Sequence, residues 1–301
     1  MTDNLNFLNS YLAQKRGLVE KALEEYLPGE ENFPEIIFQS IRYSIFAGGK
    51  RLRPILCLAA AEAVGGDAAD LLPVACALEM IHTYSLIHDD LPVMDDDDYR
   101  RGRLTNHRVF GEDIAVLAGD ALLTEAFHLL SGRHVAGRFP SDRMLQAINE
   151  IARSAGLFGM VGGQVADIQA EGRSADQKTL DYIHRHKTGE IIKVSVVAGA
   201  LLAGADEKSV NSLAGFGRNI GLAFQITDDI LDIEGDREAL GKATGQDAAL
   251  KKMTYPALMG VDKAREKAKE CLDAALKELE DFGGRAEPLR LIARFIVERT
   301  V

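Results

Sequence analysis

A chain of 301 residues with 47% hydrophobic and 27% charged residues can bury a sizeable core, which excludes disorder, collagen-like repeats and low complexity. Its 35 basic against 46 acidic side chains leave a net charge of -11, a field that repels nucleic acid and anionic membrane, so an anionic ligand needs local help. Cys57, Cys76 and Cys271 are odd in number and widely spaced in apolar stretches, the pattern of reduced thiols in a cytosolic protein rather than of a disulfide framework.

The first segment carries neither a basic leader nor an apolar signal core; Leu18, Val19, Ala22, Leu23 and Tyr26 give it helical spacing. The same spacing predicts helices over 4–26, 34–47, 54–64, 70–90, 112–132, 141–153, 157–170, 176–186, 189–204, 207–234, 254–282 and 286–299. No alternating runs appear, prolines stand mostly at segment ends, and no linker divides the chain. The expectation is all-α, a single large helical domain over residues 1–301. Gly235 to Lys252, punctuated by Gly241, Lys242, Gly245 and Lys251, is the longest connection and long enough for a lid. Val194 to Ala205 is the best membrane candidate and falls short of the roughly 20 residues a bilayer needs, so no stable membrane association is expected.

Chemistry enters with two acidic clusters on otherwise apolar helices, HDDLPVMDDDD ending near residue 98 and QITDDILD at 225–232. Asp228 and Asp232 lie one turn apart on one face, where like charges destabilise a bare helix unless a hard cation offsets them. Pro92 ends or kinks the first helix and lets Asp95 fold back beside Asp89. A solvated helix end explains either cluster taken alone. A calcium loop starting at Asp95 would need Gly where Arg100 stands, and carboxylates without His or Cys suit magnesium, manganese or calcium better than zinc.

Two basic turns accompany them, Gly48-Gly49-Lys50-Arg51-Leu52-Arg53-Pro54 and Arg100-Arg101-Gly102-Arg103. Glycines admit close backbone approach and Arg53 offers a fork matched to phosphate oxygens, although a short basic turn also suits an ordinary helix end. There is no Walker sequence and no dinucleotide fingerprint. Lys187-Thr188-Gly189, after His184 and His186, fits either a phosphate contact or a helix boundary.

GGKRLRP at 48–54, HTYSLIHDDLPVMDDDDYRRG at 82–102, GGQ at 162–164, KTG at 187–189 and QITDDILD at 225–232 together resemble the short-chain trans-prenyl diphosphate synthases, most closely the bacterial farnesyl diphosphate synthases. The resemblance covers nearly the whole chain. It implies a helical fold around a deep central cavity, a cytoplasmic homodimer, and about three Mg2+ ions per active site, with Mn2+ a substitute. Asp89, Asp95 and Asp228 would hold the metal, supported by Asp90, Asp229 and Asp232. Arg100, Lys187, Lys242 and Lys252 would contact the allylic diphosphate. Gly49, Lys50, Arg53, His82 and Arg101 would hold isopentenyl diphosphate. Lys187, Thr188, Gln225 and Arg100 are the candidate catalytic residues, through charge on the leaving diphosphate and the lining around an allylic cation.

The same resemblance makes the residues before Asp89 the floor of the product cavity. Tyr84 and Ser85 stand there; Tyr84 is just over a turn from Asp89, and its bulk points to a farnesyl product. Other readings are a geranylgeranyl or geranyl diphosphate synthase with another floor, and a non-catalytic regulatory subunit, which intact aspartate motifs disfavour. A terpene cyclase ordinarily lacks the GGKRLRP site.

Overall fold

Segments whose apolar residues recur every three or four positions can hide that face only by packing on a neighbour, and in the computed structural model they form helices almost throughout. Residues 2–172, 176–234 and 252–299 are described; the expected lid lies outside them except for Lys252. In chain order come α1 (Thr2–Tyr26), α2 (Glu35–Ile45), α3 (Leu52–Ala63), α4 (Leu72–Asp89), a hairpin of β1 (Tyr99–Arg100) and β2 (Arg103–Leu104), α5 (Asn106–Phe110), α6 (Glu112–Ser131), α7 (Ser141–Ala155), α8 (Met160–Ala170) and α9 (Gln177–Ile183). A π-helical turn (His184–Gly189) leads into α10 (Glu190–Leu202), followed by α11 (Glu207–Glu234), α12 (Tyr255–Met259), α13 (Val261–Glu278), a 3-10 turn (Glu280–Ala286) and α14 (Glu287–Glu298).

The core has two halves that share α3 and α10. Cys57, Leu58 and Ala61 of α3, with Val194 and Ala198 of α10, pack among residues of α1, α4, α6 and α7. Ile55, Leu56 and Ala59 on another side of α3, with Ile192 and Val196 of α10, pack among residues of α11, α13 and α14. Both helices are therefore apolar nearly all round, and α10 is buried from Ile191 to Leu202 apart from Lys193. The three cysteines are free and buried.

Where α10 meets α11 the backbones come very close. A Cβ on Gly217 would lie 2.7 Å from Lys193 Cα, and one on Gly221 would lie 2.9 Å from Gly189 Cα. Only glycine fits such a seam without moving a helix.

The structure departs from the expected elements in four places. The helix expected over 254–282 is broken at Gly260, whose φ of 84° ends α12 before α13 starts. The basic run at 100–103 is a hairpin turn, with φ positive at both Arg101 and Gly102. The segment 176–186 passes into the π-helical turn after Ile183. Finally, the apolar helix longest for a membrane is α6 rather than 194–205; its 20 residues suffice by length and composition, because the apolar side chains it needs to pack on α4 also raise its hydropathy.

Replacing Gly221 by Ala should force α10 and α11 apart and destabilise the protein by about 1–3 kcal/mol. Denaturant unfolding measures this; an unchanged midpoint would contradict the close approach.

Candidate active site

The two acidic clusters and both basic turns open onto one cavity of about 710 Å3. α4 presents Glu79, His82, Leu86 and Asp89 to it, residues at helical spacing on one face. α11 presents Gln225, Asp228 and Asp232, and the π-helical turn presents Lys187 and Thr188. The loop before α3 adds Gly49, Lys50, Arg51 and Arg53, the hairpin adds Arg100 and Arg101, and Asp95 and Lys252 complete the rim.

α4 ends at Asp89, two residues before the Leu91–Pro92 bond, and the chain turns back so that the Asp95 N–H donates to the Asp89 carbonyl at 2.8 Å. This brings the i+6 carboxylate to the helix end. Burial raises the Asp89 pKa to about 6; Lys187 lowers it, and the Asp95 and Asp90 charges add to the rise. Asp90 points to the other side and accepts two bonds from Arg100 Nε, at 2.7 and 2.9 Å. Burial works against the Arg100 charge, but the hydrogen bond and charge of Asp90 outweigh it and hold that guanidinium above its usual pKa.

The opposite wall is cationic. Arg51 has a left-handed backbone at the start of α3; its guanidinium bonds Glu79 at 2.8 Å and the Ile45 carbonyl at 2.6 Å, fixing the loop that carries Lys50 and Arg53. Burial lowers the Arg53 pKa to about 10, and its Nε has no hydrogen-bond partner among the described residues. Burial, then the charges of Arg53, Arg101, Arg100 and Arg51, hold His82 well below the ordinary histidine value, so it is a neutral imidazole. Arg101 donates to the Gly48 carbonyl across Gly49, where a Cβ would meet the guanidinium at 2.6 Å. With several cations and an unpartnered guanidinium atom, this wall suits a ligand with several anionic oxygens.

Cations and carboxylates elsewhere in the cavity are paired with one another. Lys252 bonds Asp95 at 3.0 Å, Lys187 bonds Asp167 at 2.6 Å, and Arg299 bonds Asp228 while stacking 4.5 Å from the Phe224 ring. Among the described residues no three His, Cys, Asp or Glu side chains form a ready metal cage. Paired oxygen donors around a polar cavity nevertheless fit Mg2+, which takes one or two carboxylates and fills its shell with water and phosphate oxygens.

Several expected residues fall elsewhere. Tyr84 and Ser85 do not line the cavity: Tyr84 is about 200° round α4 from His82, sits in the core, and meets the His88 ring edge-on at 5.7 Å. Ser85 turns its hydroxyl onto the His82 carbonyl at 2.9 Å. Asp229, by contrast, does line the cavity, but its carboxylate is held by protein donors, bonded to His184 at 2.9 Å and to the Tyr255 N–H at 3.0 Å. Lys242 lies outside the described residues. Glu79, Asp167 and Arg299 line the cavity without having been singled out from sequence; Asp167 stands three residues after GGQ, while Arg299 near the end of the chain carries no local signal.

The profile described as "Polyprenyl synthetase" matches residues 34–287. The chain belongs to the polyprenyl synthetase family. It is 47% identical over 292 residues to farnesyl diphosphate synthase of Geobacillus stearothermophilus, covering 97% of this chain and 98% of that one. It is 48% identical over 297 residues to geranylgeranyl diphosphate synthase of Cyanophora paradoxa, covering 98% and 97%. The crystal structure of an FPP/GFPP synthase from Zymomonas mobilis superimposes with a TM-score of 0.86 at 38% identity, covering 98% of this chain and all of that one.

In metal-free protein, ionised Asp89 opposes folding. Its folded pKa of about 6 lies above the ordinary 3.8, so the stabilisation from its protonated form is complete below pH 3.8 and is lost as pH rises through 6. Asp89→Asn should therefore raise stability in chelator at pH 8 by about 1–2 kcal/mol once solvent screening is allowed for, and leave it nearly unchanged at pH 4. Thermal melts at both pH values check this; a gain at pH 4 alone would contradict it.

Proposed function

We propose that the protein condenses isopentenyl diphosphate with dimethylallyl and then geranyl diphosphate to make farnesyl diphosphate. The observation carrying this reading is that one cavity is lined both by a set of cations and by a set of carboxylates with further cations, which we read as two anion-binding regions. Arg53, Lys50, Arg101 and neutral His82 form one, while Asp89, Asp95, Asp228 and Asp232, with Lys187, Arg100 and Lys252, form the other. Two diphosphates can thus be held with their hydrocarbon ends together, the positioning that a bimolecular condensation needs.

Asp89, Asp95 and Asp228 would hold Mg2+, with Asp232 nearby. Mg2+ bound there would neutralise charge on the departing allylic diphosphate. Lys187, Arg100 and Lys252 add fixed positive charge around the same oxygens, so the C–O bond breaks toward a preorganised cationic surface. Thr188 Oγ1 donates to Gln225 Oε1 at 2.9 Å, which fixes both side chains and directs oxygen dipoles near the electron-poor allylic carbon. The double bond of isopentenyl diphosphate forms the new C–C bond, and the proton it must lose goes to the released diphosphate. No protein general base is required. Neutral His82 keeps its lone pair beside the cationic wall and adds no further positive charge to the pocket.

Tyr84 would limit product length from behind the wall. Its ring is buried in the core against His88, so its removal would leave a void into which a longer tail could extend. We also propose a homodimer. Val161, Val165 and Ile168 make an exposed apolar stripe along α8, preceded by exposed Leu157 and Phe158.

Purified protein with Mg2+ and isopentenyl diphosphate, given dimethylallyl, geranyl or farnesyl diphosphate in turn and read by mass, should yield farnesyl diphosphate from the first two and little product from the third. Sustained extension of farnesyl diphosphate would overturn the product assignment, and no condensation with any partner would overturn the activity. Tyr84→Ala should shift the product to longer chains; an unchanged length would remove Tyr84 from chain-length control.

A further inference from the structure

The close seam between α10 and α11 continues into the active site as a polar ladder. Gly217 meets Lys193 and Gly221 meets Gly189 by backbone contact. One turn further along α11, Gln225 Oε1 accepts the Thr188 hydroxyl at 2.9 Å, and after another turn Asp229 Oδ2 accepts from His184 Nε2 at 2.9 Å. Along α11 the rungs stand about one turn apart, while the partners run antiparallel as two pairs, Lys193 with Gly189 and Thr188 with His184, each pair four residues apart. Only the last two rungs are polar, and they are the two that reach the cavity.

The last rung has a third member. The Tyr255 N–H donates to the same Asp229 Oδ2 at 3.0 Å, its ring lies 5.3 Å from the His184 ring, and its hydroxyl donates to Asp181 in α9. The Gln225 amide lies 3.3 Å from Asp229 Oδ1. Asp229 is thus surrounded by donors from three segments, and its side chain is 3% exposed against 40% for the adjacent Asp228. A carboxylate so enclosed would have to give up its donors before it could bind an ion in the cavity. It is built as an anchor.

We propose that His184 is a positioning residue, which holds Asp229 so that the neighbouring Asp228 and Asp232 face the cavity in register with Lys187 and Thr188. Its partner must be the Nε2–H form, since the carboxylate only accepts. The π-helical geometry from His184 to Gly189 places His184 and Thr188 as successive rungs on α11, while Lys187 reaches Asp167 across the site at 2.6 Å. The Tyr255 bond brings the chain that follows Lys252 to the same anchor. His184 would therefore act on the metal and the allylic diphosphate through Asp229, without touching either, and would leave the Lys50 and Arg53 wall unaffected.

This inference rests on the diphosphate-and-Mg2+ reading of the cavity. Its test is calorimetric binding of inorganic diphosphate with Mg2+, alongside steady-state kinetics, for the unsubstituted protein and for His184→Leu, His184→Gln, Asp228→Asn and Asp229→Asn. His184→Leu should weaken Mg2+-diphosphate binding about 10–100-fold, the range found when the outer hydrogen-bonding support of a metal site is removed. The KM for isopentenyl diphosphate should stay within about two-fold. His184→Gln, whose amide nitrogen can replace Nε2–H, should recover most of the loss. Asp229→Asn, which keeps an oxygen for the Tyr255 N–H, should be milder than Asp228→Asn.

Equal binding by His184→Leu and the unsubstituted protein would overturn the proposal, as would a parallel rise in the KM for isopentenyl diphosphate. If His184→Leu does not fold, the two Asn variants decide: equal losses would make Asp229 a direct ligand and overturn the anchor. Absence of Mg2+-dependent binding by the unsubstituted protein would instead overturn the reading of the cavity, and this inference with it.

Discussion

The arrangement of charge across one cavity is the constraint on which the rest depends. Carboxylates from the end of α4 and from α11 must face the same space as several guanidinium and ammonium groups, without collapsing into pairs that leave nothing to bind. The protein meets this by separating the groups. Arg51 and Glu79 form a buried pair that stiffens the cationic wall, Arg100 and Asp90 tie the hairpin to α4, and Asp229 is enclosed by His184 and the Tyr255 backbone. Asp89, Asp95, Asp228 and Asp232 remain on the cavity side.

Two of those carboxylates are paired with cations. Lys252 bonds Asp95, and Arg299 bonds Asp228, so in the described conformation some of the cations that could meet an anionic ligand rest on candidate metal ligands. On the proposed reading, a divalent ion arriving with a diphosphate would replace the cation on Asp95 and Asp228, and the released cation would turn to the phosphate oxygens. Such an exchange would keep Asp95 and Asp228 partnered before and after binding, which matters in a cavity where burial lifts Asp89 to a pKa of about 6. It would also let a chain of net charge -11 accept two anions.

Much of this was legible in the sequence, for reasons that can be stated. Helical spacing and the absence of alternating runs identify the all-α class, and Pro92 with the i+6 spacing anticipates the turn that returns Asp95 to Asp89. Helix geometry likewise places Asp228 and Asp232 together. What sequence spacing could not show depends on approach between segments far apart in the chain. The His184–Asp229 bond needs the glycine seam at 217 and 221, and Arg299 reaches Asp228 only because α14 packs on α11. Tyr84 was placed toward the cavity from its distance to Asp89, but the face chosen by His82, Leu86 and Asp89 turns it into the core. The Arg100–Arg103 run reads as a basic turn, and positive φ at Arg101 and Gly102 makes that turn the tip of a hairpin.

The most direct measurement of the central claim is the affinity of the unsubstituted protein for inorganic diphosphate with and without Mg2+, at fixed ionic strength. Exchange of internal ion pairs for metal and phosphate predicts strong binding with Mg2+ and a loss of at least about ten-fold in chelator. Equal affinity in both conditions would show that the cationic side chains suffice alone, and would contradict the account of the carboxylates.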